Sequence, residues 1–137
     1  MCSMKLRLAL VALVLALASS PAAAFTVDYF RTPSRNIYCA RIPNNFLRCD
    51  VRHLAHPAPR PRGCQFDYGN SFGMTPRGRA HALCVSDSVI DPHAVVLRYG
   101  TTRRFGPFVC RSRTIGLRCT NRVRHGFFLN RTNYRLF

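Results

Sequence analysis

Five histidines are the side chains of this sequence best suited to acid–base chemistry, because an imidazole exchanges a proton near neutral pH. A small hydrolase such as a nuclease would need two of them, and the candidates are His81, His93 and His125 with Asp87 and Asp91. His125 is the best single candidate, since a glycine and an aromatic run follow it. We favour a more ordinary role, hydrogen bonding to the backbone at a strand end, and assign no catalytic residue because no catalytic motif is present.

Two further histidines have a spacing that a metal ion can use. His53 and His56 are separated by two residues and lie close to Asp50, which together offer two imidazoles and a carboxylate. The pair precedes a proline-rich stretch instead of lying on a regular element, so exposed loop histidines are the better interpretation. We therefore expect no metal and no other cofactor.

Arginines are the more informative residues, because they crowd into the last third of the chain. Residues two apart in a strand share one face, so Arg111 and Arg113 would point the same way, as would Arg122 and Arg124. Aromatic residues nearby could stack on bases or sugars beside bound phosphates. The alternative is that the aromatics form the core and the arginines a solvated outer face. The predicted binding residues are Arg111, Arg113, Arg118, Arg122, Arg124 and His125; Arg103, Arg104 and Arg131 are also close in sequence, as are Phe105, Phe127, Phe128 and Tyr134.

The overall charge points to anionic partners. The 137 residues include 21 lysines and arginines against five aspartates, a formal net charge of +16 at pH 7. Such a surface attracts polyanions, less strongly as salt rises. The sequence therefore predicts a secreted cationic binding module for envelope polymers, nucleic acid or acidic proteins. A small secreted nuclease using His125 and a structural envelope protein are the alternatives.

The N-terminus predicts export. Lys5 and Arg7 precede an apolar run from Leu8 to Ala18, and Ala22–Ala24 supplies the small residues of a cleavage site. The run is too short for a membrane span, which needs about 20 residues. We expect a signal peptide over residues 1–24 and one secreted domain over residues 25–137, most simply a periplasmic or extracellular monomer without a transmembrane segment after processing.

Six cysteines follow the predicted cleavage site, an even number that favours three disulfides in an exported chain. A zinc site is disfavoured because no CxxC pair exists. Two segments have similar patterns, Tyr38–Asp50 and Val109–Thr120, each with two cysteines that a hairpin would place opposite one another. Of the 15 possible pairings we favour Cys39–Cys49, Cys110–Cys119 and, for the remaining two, Cys64–Cys84.

These residues must be positioned by strands, because no stretch shows helical periodicity. Short β-type runs recur, each interrupted by Pro, Gly or Asn, which predicts an all-β fold: a small antiparallel sandwich or barrel stapled by three disulfides. Two stretches are expected to be long loops, Ala55–Gly63 and Gln65–Gly78. The predicted strands are Thr26–Phe30, Asn36–Ala40, Phe46–Val51, Ala80–Val85, Ala94–Tyr99, Phe108–Arg111, Gly116–Thr120, Gly126–Leu129 and, more weakly, Asn133–Leu136.

The order of several motifs resembles a family of small exported bacterial cysteine-rich domains of unknown function. The family pattern is F-x-x-P-S-x-N-I-x-C near the start and G-H-G-F-x-L near the end; the corresponding stretches here are Phe30–Cys39 and Arg124–Leu129. The resemblance implies export and a cysteine-bonded domain, and it transfers no catalytic residue. Arg35 and Arg124 stand at positions that we associate with glycine in this family, a residue that often marks a positive φ.

Overall fold

Over residues 26–137 the fold consists of eleven β-strands and no helix. The structure, a computed structural model, describes residue 22 and residues 26–137, and in that part of the chain no helix could span a membrane. The predicted signal peptide, apart from Ala22, lies outside the described residues. The strands are β1 (Asp28–Arg31), β2 (Ile37–Ile42), β3 (Phe46–Val51), β4 (Asp67–Met74), β5 (His81–Val85), β6 (Val95–Val96), β7 (Thr102–Phe105), β8 (Phe108–Arg113), β9 (Gly116–Thr120), β10 (Gly126–Leu129) and β11 (Tyr134–Leu136).

The strands form two sheets packed face to face, which confirms the predicted all-β class and selects the sandwich over the barrel. The first sheet has the order β5-β4-β3-β2-β1-β6 and the second has the order β11-β10-β9-β8-β7. All neighbours are antiparallel except β1 and β6, which pair in parallel. The chain thus builds one sheet mainly from its first half and the other from its last third.

Alternating apolar residues on the inner faces form the core between the sheets. The rings of Phe30 and Phe105 stack across the sandwich with centroids 4.1 Å apart, and Phe72 lies 4.8 Å from Tyr134. Phe108 and other inward side chains are fully buried. Removing one such side chain from water is worth about 1.5–3 kcal/mol, so this layer is the main source of stability.

Two of the three disulfides lie at the centre of the core, one in each sheet. Cys39 and Cys49 are directly opposite in the β2–β3 hairpin, and Cys110 and Cys119 are directly opposite in the β8–β9 hairpin. The third bridge, Cys64–Cys84, joins the proline-rich loop to β5 at the surface. These are the pairs that the cysteine spacing favours, and three disulfides indicate an oxidising, extracytoplasmic environment.

Strand β4 corrects the prediction of a long loop over Gln65–Gly78. Its two glycines, Gly69 and Gly73, hide the alternation typical of a strand. The backbone needs glycine at both positions because other groups approach it closely. A Cβ at Gly73 would lie 2.5 Å from the Phe46 ring, and Gly69 has a φ of +103° beside the backbone of Ala58. The register shift between Tyr68 and Phe72 also marks a bulge, where glycine is favoured over strand-forming residues.

Two other predictions were wrong, one about the length of a strand and one about its existence, and both concern the sheet edges. The predicted strand Ala94–Tyr99 shrinks to Val95–Val96, which pairs only with β1. Strand β7, Thr102–Phe105, was missed because two adjacent arginines break the apolar alternation. Both are edge strands, where charged or very short segments are common because they discourage pairing with another chain.

Both arginines at glycine positions of the family pattern have left-handed backbones. Arg35 has a φ of 57° and Arg124 has a φ of 68°. Each follows a turn that closes onto a strand, and each side chain is exposed. The positive φ indicated by the pattern is therefore present in this chain even though the glycine is not.

Candidate functional site

A row of arginines crosses the outer face of the second sheet. Arg111 on β8 is paired with Arg118 on β9, Arg118 with Phe128 on β10, and Phe128 with Arg135 on β11. Paired residues lie on the same face, and three strand spacings cover about 14 Å. The sheet therefore presents three guanidinium groups and one aromatic ring in a line.

This row lies in a groove of about 800 Å³. The β8–β9 turn closes one end of it with Ile115, which is 56% exposed, and the β10–β11 connection contributes two asparagines. A volume of this size is typical of ligand sites. The lining residues are Arg111, Arg113, Ile115, Gly116, Arg118, Phe128, Asn130, Asn133, Tyr134 and Arg135.

The alternation of residues along β8 places Arg111 and Arg113 on the outer face of the second sheet. In β8 the inward residues Phe108, Cys110 and Ser112 are fully buried, so Arg111 and Arg113 face solvent. The Cys110–Cys119 bridge fixes this register, because a slip by one residue would turn the arginines into the core. The disulfide between Cys110 and Cys119 thus determines which side chains lie on the outer face.

Two phenylalanine rings lie on this face, one against the central arginine and one over Gly116. The guanidinium carbon of Arg118 lies 4.3 Å from the centroid of the Phe137 ring, and that of Arg135 lies 5.8 Å from the same ring. The Phe128 ring lies over Gly116, where a Cβ would approach the ring to 2.6 Å. Stacking on a ring face holds a guanidinium while leaving its N–H edge available for an anion.

No acidic side chain of the described residues forms an ion pair on this face. Asp91 is the last acidic residue of the sequence. None of the groove arginines forms an ion pair within residues 26–137, where four of the five aspartates pair with Arg41, Arg48 or His93. Like charges on neighbouring strands repel, so a bound anion would relieve a repulsion that the free protein carries.

The central arginine of the first sheet, Arg48, is buried and paired with two aspartates. Arg48 is 6% exposed and donates two hydrogen bonds to Asp50, of 2.9 and 3.0 Å, and one of 2.7 Å to the carboxylate of Asp87. Burial opposes the charge of Arg48, but the hydrogen bonds to both aspartates raise its pKa. The hydrogen bond from Arg48 lowers the pKa of Asp87. This arginine is therefore fully occupied within its own chain.

The structure brings together only part of the predicted binding set. Arg111, Arg113 and Arg118 line the groove. Arg122, Arg124 and His125 lie in the β9–β10 turn, beyond the end of β9 that points away from the groove. Because these residues are in a turn, strand alternation does not align Arg122 with Arg124.

The β9–β10 turn is anchored through Asn121. Its side-chain amide donates to the carbonyl oxygens of Thr75 and Gly78, at 2.9 and 2.8 Å, and its Oδ1 accepts the backbone N–H of His125 at 3.1 Å. The His125 ring makes no hydrogen bond with any residue that the structure describes. His125 is thus held through its backbone, and its side chain is half-buried.

The remaining histidines lie in three places: His53 and His56 in the connection after β3, His81 at the start of β5, and His93 in the loop before β6. His56 Nδ1 lies 3.0 Å from the carbonyl oxygen of Thr132, and the exposed His93 lies 3.5 Å from Asp91. His53 is exposed at the end of β3, whereas Asp50 is occupied by Arg48 and by the Val89 N–H. Over residues 26–137 no three His, Cys, Asp or Glu side chains are grouped as metal ligands.

Sequence reasoning missed Arg135 and Phe137. Both lie on or beside β11, a three-residue strand too short to show a clear alternation. The signal was present in Tyr134-Arg135-Leu136, since an arginine between two partly buried residues faces outward. Only the β10–β11 pairing shows that Arg135 joins the same row as Arg118.

No curated protein and no solved structure matches this chain significantly. A protein-family model does match, over residues 9–137, and its description is a family of unknown function. The match covers every described strand of the sandwich, including those that form the groove. This chain belongs to the family of unknown function DUF6636.

Proposed function

We propose that this protein is an extracytoplasmic binding module that holds anionic partners in the arginine-lined groove of its second sheet. The observation that carries the proposal is the cross-strand row Arg111–Arg118–Phe128–Arg135, whose arginines form no ion pair within residues 26–137. Export is supported by the N-terminal sequence pattern and by three disulfides.

The chemistry follows from the guanidinium group. Each arginine offers five N–H donors in a planar fork that fits carboxylate or phosphate oxygens in pairs. Because the groove arginines form no ion pair with any described residue that would have to break first, the cost of recruiting them is small. Binding should therefore be strong at low salt and weaken as salt screens the charges.

The test compares two triple variants of equal charge. One replaces groove residues (Arg111→Gln, Arg118→Gln, Arg135→Gln), and the other replaces exposed arginines outside the groove (Arg52→Gln, Arg62→Gln, Arg79→Gln). The probes are a fluorescein-labelled DNA oligonucleotide and labelled poly-glutamate, titrated by fluorescence anisotropy over a range of salt concentrations.

We expect the groove variant to lose at least about tenfold in affinity for one or both probes, with a shallower salt dependence, because each lost cationic contact removes about one from the slope of log affinity against log salt. The control variant should lose less than about threefold, since it changes only long-range attraction. Equal losses in the two variants would contradict a localised site.

A further inference from the structure

The two sheets contain matching hairpins with an arginine at the same position. Arg48 directly precedes Cys49 on β3, and Arg118 directly precedes Cys119 on β9. Each cysteine is bridged to the residue directly opposite on the preceding strand, at Cα separations of 4.0 and 4.1 Å. Since both cysteines point into the core, both arginines point outward from the centre of their sheets.

On the first sheet this arginine holds a segment of its own chain. Arg48 donates to the carboxylate of Asp87 and also to its backbone oxygen. Two residues later the backbone N–H of Val89 donates to Asp50 at 2.9 Å, and Val89 is 8% exposed. The segment from Ser86 to Ile90 is thus held by a carboxylate, by backbone groups and by one buried apolar side chain.

On the second sheet the matching arginine, Arg118, is not paired with an acidic segment of the described chain. Thr120 stands two residues after Arg118, where Asp50 follows Arg48, so the acidic partner on the same strand is absent. No segment of the described chain pairs its carboxylate with Arg118. The cross-strand neighbours also differ: Arg111 and Phe128 flank Arg118, where the small residues Ala40 and Gly73 flank Arg48.

We propose that the groove binds an acidic segment of a partner protein in the way the first sheet holds Ser86–Ile90. The carboxylate of an aspartate or glutamate would be held by Arg118 and its neighbours in the row, and an apolar residue two positions later would pack on Ile115 and Phe128. This inference rests on the proposed function and narrows its ligand from anions in general to a carboxylate-bearing peptide chain.

The dimensions of the groove favour a short peptide over a nucleic-acid duplex. An extended peptide advances about 3.3 Å per residue, so the row of about 14 Å holds roughly four residues. That is the length of the segment from Asp87 to Ile90 on the first sheet. A duplex carries one charge per about 1.7 Å of its axis, which exceeds what four groove arginines match. The exposed side-chain amide of Asn133 is also suited to peptide backbone groups.

The first experiment uses a labelled peptide with three copies of Ser-Asp-Ser-Val, the sequence of residues 86–89. Matched peptides carry asparagine for aspartate or serine for valine, and a labelled single-stranded DNA of equal charge is the competing probe. Anisotropy at low salt should show at least about fivefold weaker binding for either altered peptide, and at least about fivefold loss on Arg118→Gln but not on Arg52→Gln.

A second variant tests the analogy between the sheets directly. Thr120→Asp places a carboxylate where Asp50 stands relative to Arg48, and it should occupy Arg118 and reduce peptide affinity at least about tenfold while the protein stays folded. Gln65→Asp adds the same charge at an exposed loop position before β4, outside the groove lining, and should cost less than about threefold.

The outcomes separate the two proposals. Groove-dependent binding of DNA that exceeds binding of the acidic peptide would overturn the peptide inference and leave the anion-binding module standing. Equal affinity for the peptides with and without valine would also overturn it. Failure of both probes to depend on the groove arginines would overturn both proposals.

Discussion

A single residue type has two different roles in this molecule, and the difference lies in its neighbours. Arg48 and Arg118 occupy the same position in matching hairpins. Arg48 is enclosed by two aspartates and fixes a loop, whereas Arg118 rests on the Phe137 ring without an acidic partner among the described residues. Burial and pairing make the first a structural group and leave the second available for a ligand.

Arg124 is a site where one substitution should stabilise the protein. Its left-handed backbone, with a φ of 68°, costs a non-glycine residue about 1–2 kcal/mol, partly offset by the entropy that glycine loses on folding. We expect Arg124→Gly to raise the free energy of unfolding by about 0.5–1 kcal/mol, measured by urea denaturation.

Arg122→Gly is the control, because it removes the same charge from an exposed residue of the same turn that does not have a positive φ. It should lower stability by about 0.5–1 kcal/mol, the usual cost of an unneeded glycine. Equal effects of the two substitutions would mean that charge, not backbone conformation, determines stability at this turn.

At the scale of elements, the loop from Ser86 to Ile90 should make stability depend on pH. The hydrogen bond from Arg48 lowers the pKa of Asp87 in the folded protein. A lowered pKa contributes stability above the unfolded value of about 3.9, and this contribution disappears as the pH falls through the folded value. The pH window is therefore below about 4.

Asp87→Asn should reduce the loss of stability between pH 7 and pH 3, as measured by urea midpoints at both values. The effect is modest because the Asp87 side chain is 78% exposed, where solvent screens the pair. Asp67→Asn, which removes a carboxylate without a hydrogen bond among the described residues, should leave the loss unchanged. An unchanged loss in Asp87→Asn would show that this contact contributes nothing at acid pH.

Elements also determine how much could be predicted from the sequence. The hairpins β2–β3 and β8–β9 were predictable, because regular alternation and paired cysteines fall within a short stretch of chain. Strand β4 was not, because its glycines reflect the approach of Phe46 and Ala58 from distant parts of the sequence.

The candidate site was predictable to the same extent as its strands. Arg111, Arg113 and Arg118 belong to the β8–β9 hairpin, and local alternation places them together. Arg135 joins them only through pairing with β10, and Arg124 is removed from them by a turn. Local pattern therefore predicts faces of hairpins, whereas the groove depends on how hairpins are joined.

For the whole molecule, the three disulfides should differ in their resistance to reduction. The cysteines of the two core bridges are fully buried, whereas Cys84 is exposed. Thiol–disulfide exchange requires access of the attacking thiolate, so mild reductant without denaturant should open Cys64–Cys84 first. Alkylation followed by peptide mass spectrometry would identify the opened bridge.

The sandwich should remain folded after that first step, because the surface bridge joins only a loop and an edge strand. A Cys64→Ser, Cys84→Ser variant should keep its circular dichroism spectrum and lose about 3 kcal/mol or less of stability. Simultaneous labelling of all six cysteines would show that opening any bridge unfolds the whole domain.

The aspartates are distributed unevenly between the two sheets, so the molecule has an electric dipole. All five aspartates belong to strands and loops of the first sheet, while the second sheet carries arginines alone among its charged side chains. Near an anionic envelope surface such an electric dipole experiences a torque that turns the second sheet inward before contact. Molecules arriving in any orientation would settle with the first sheet facing outward, so a coated surface would display one uniform face.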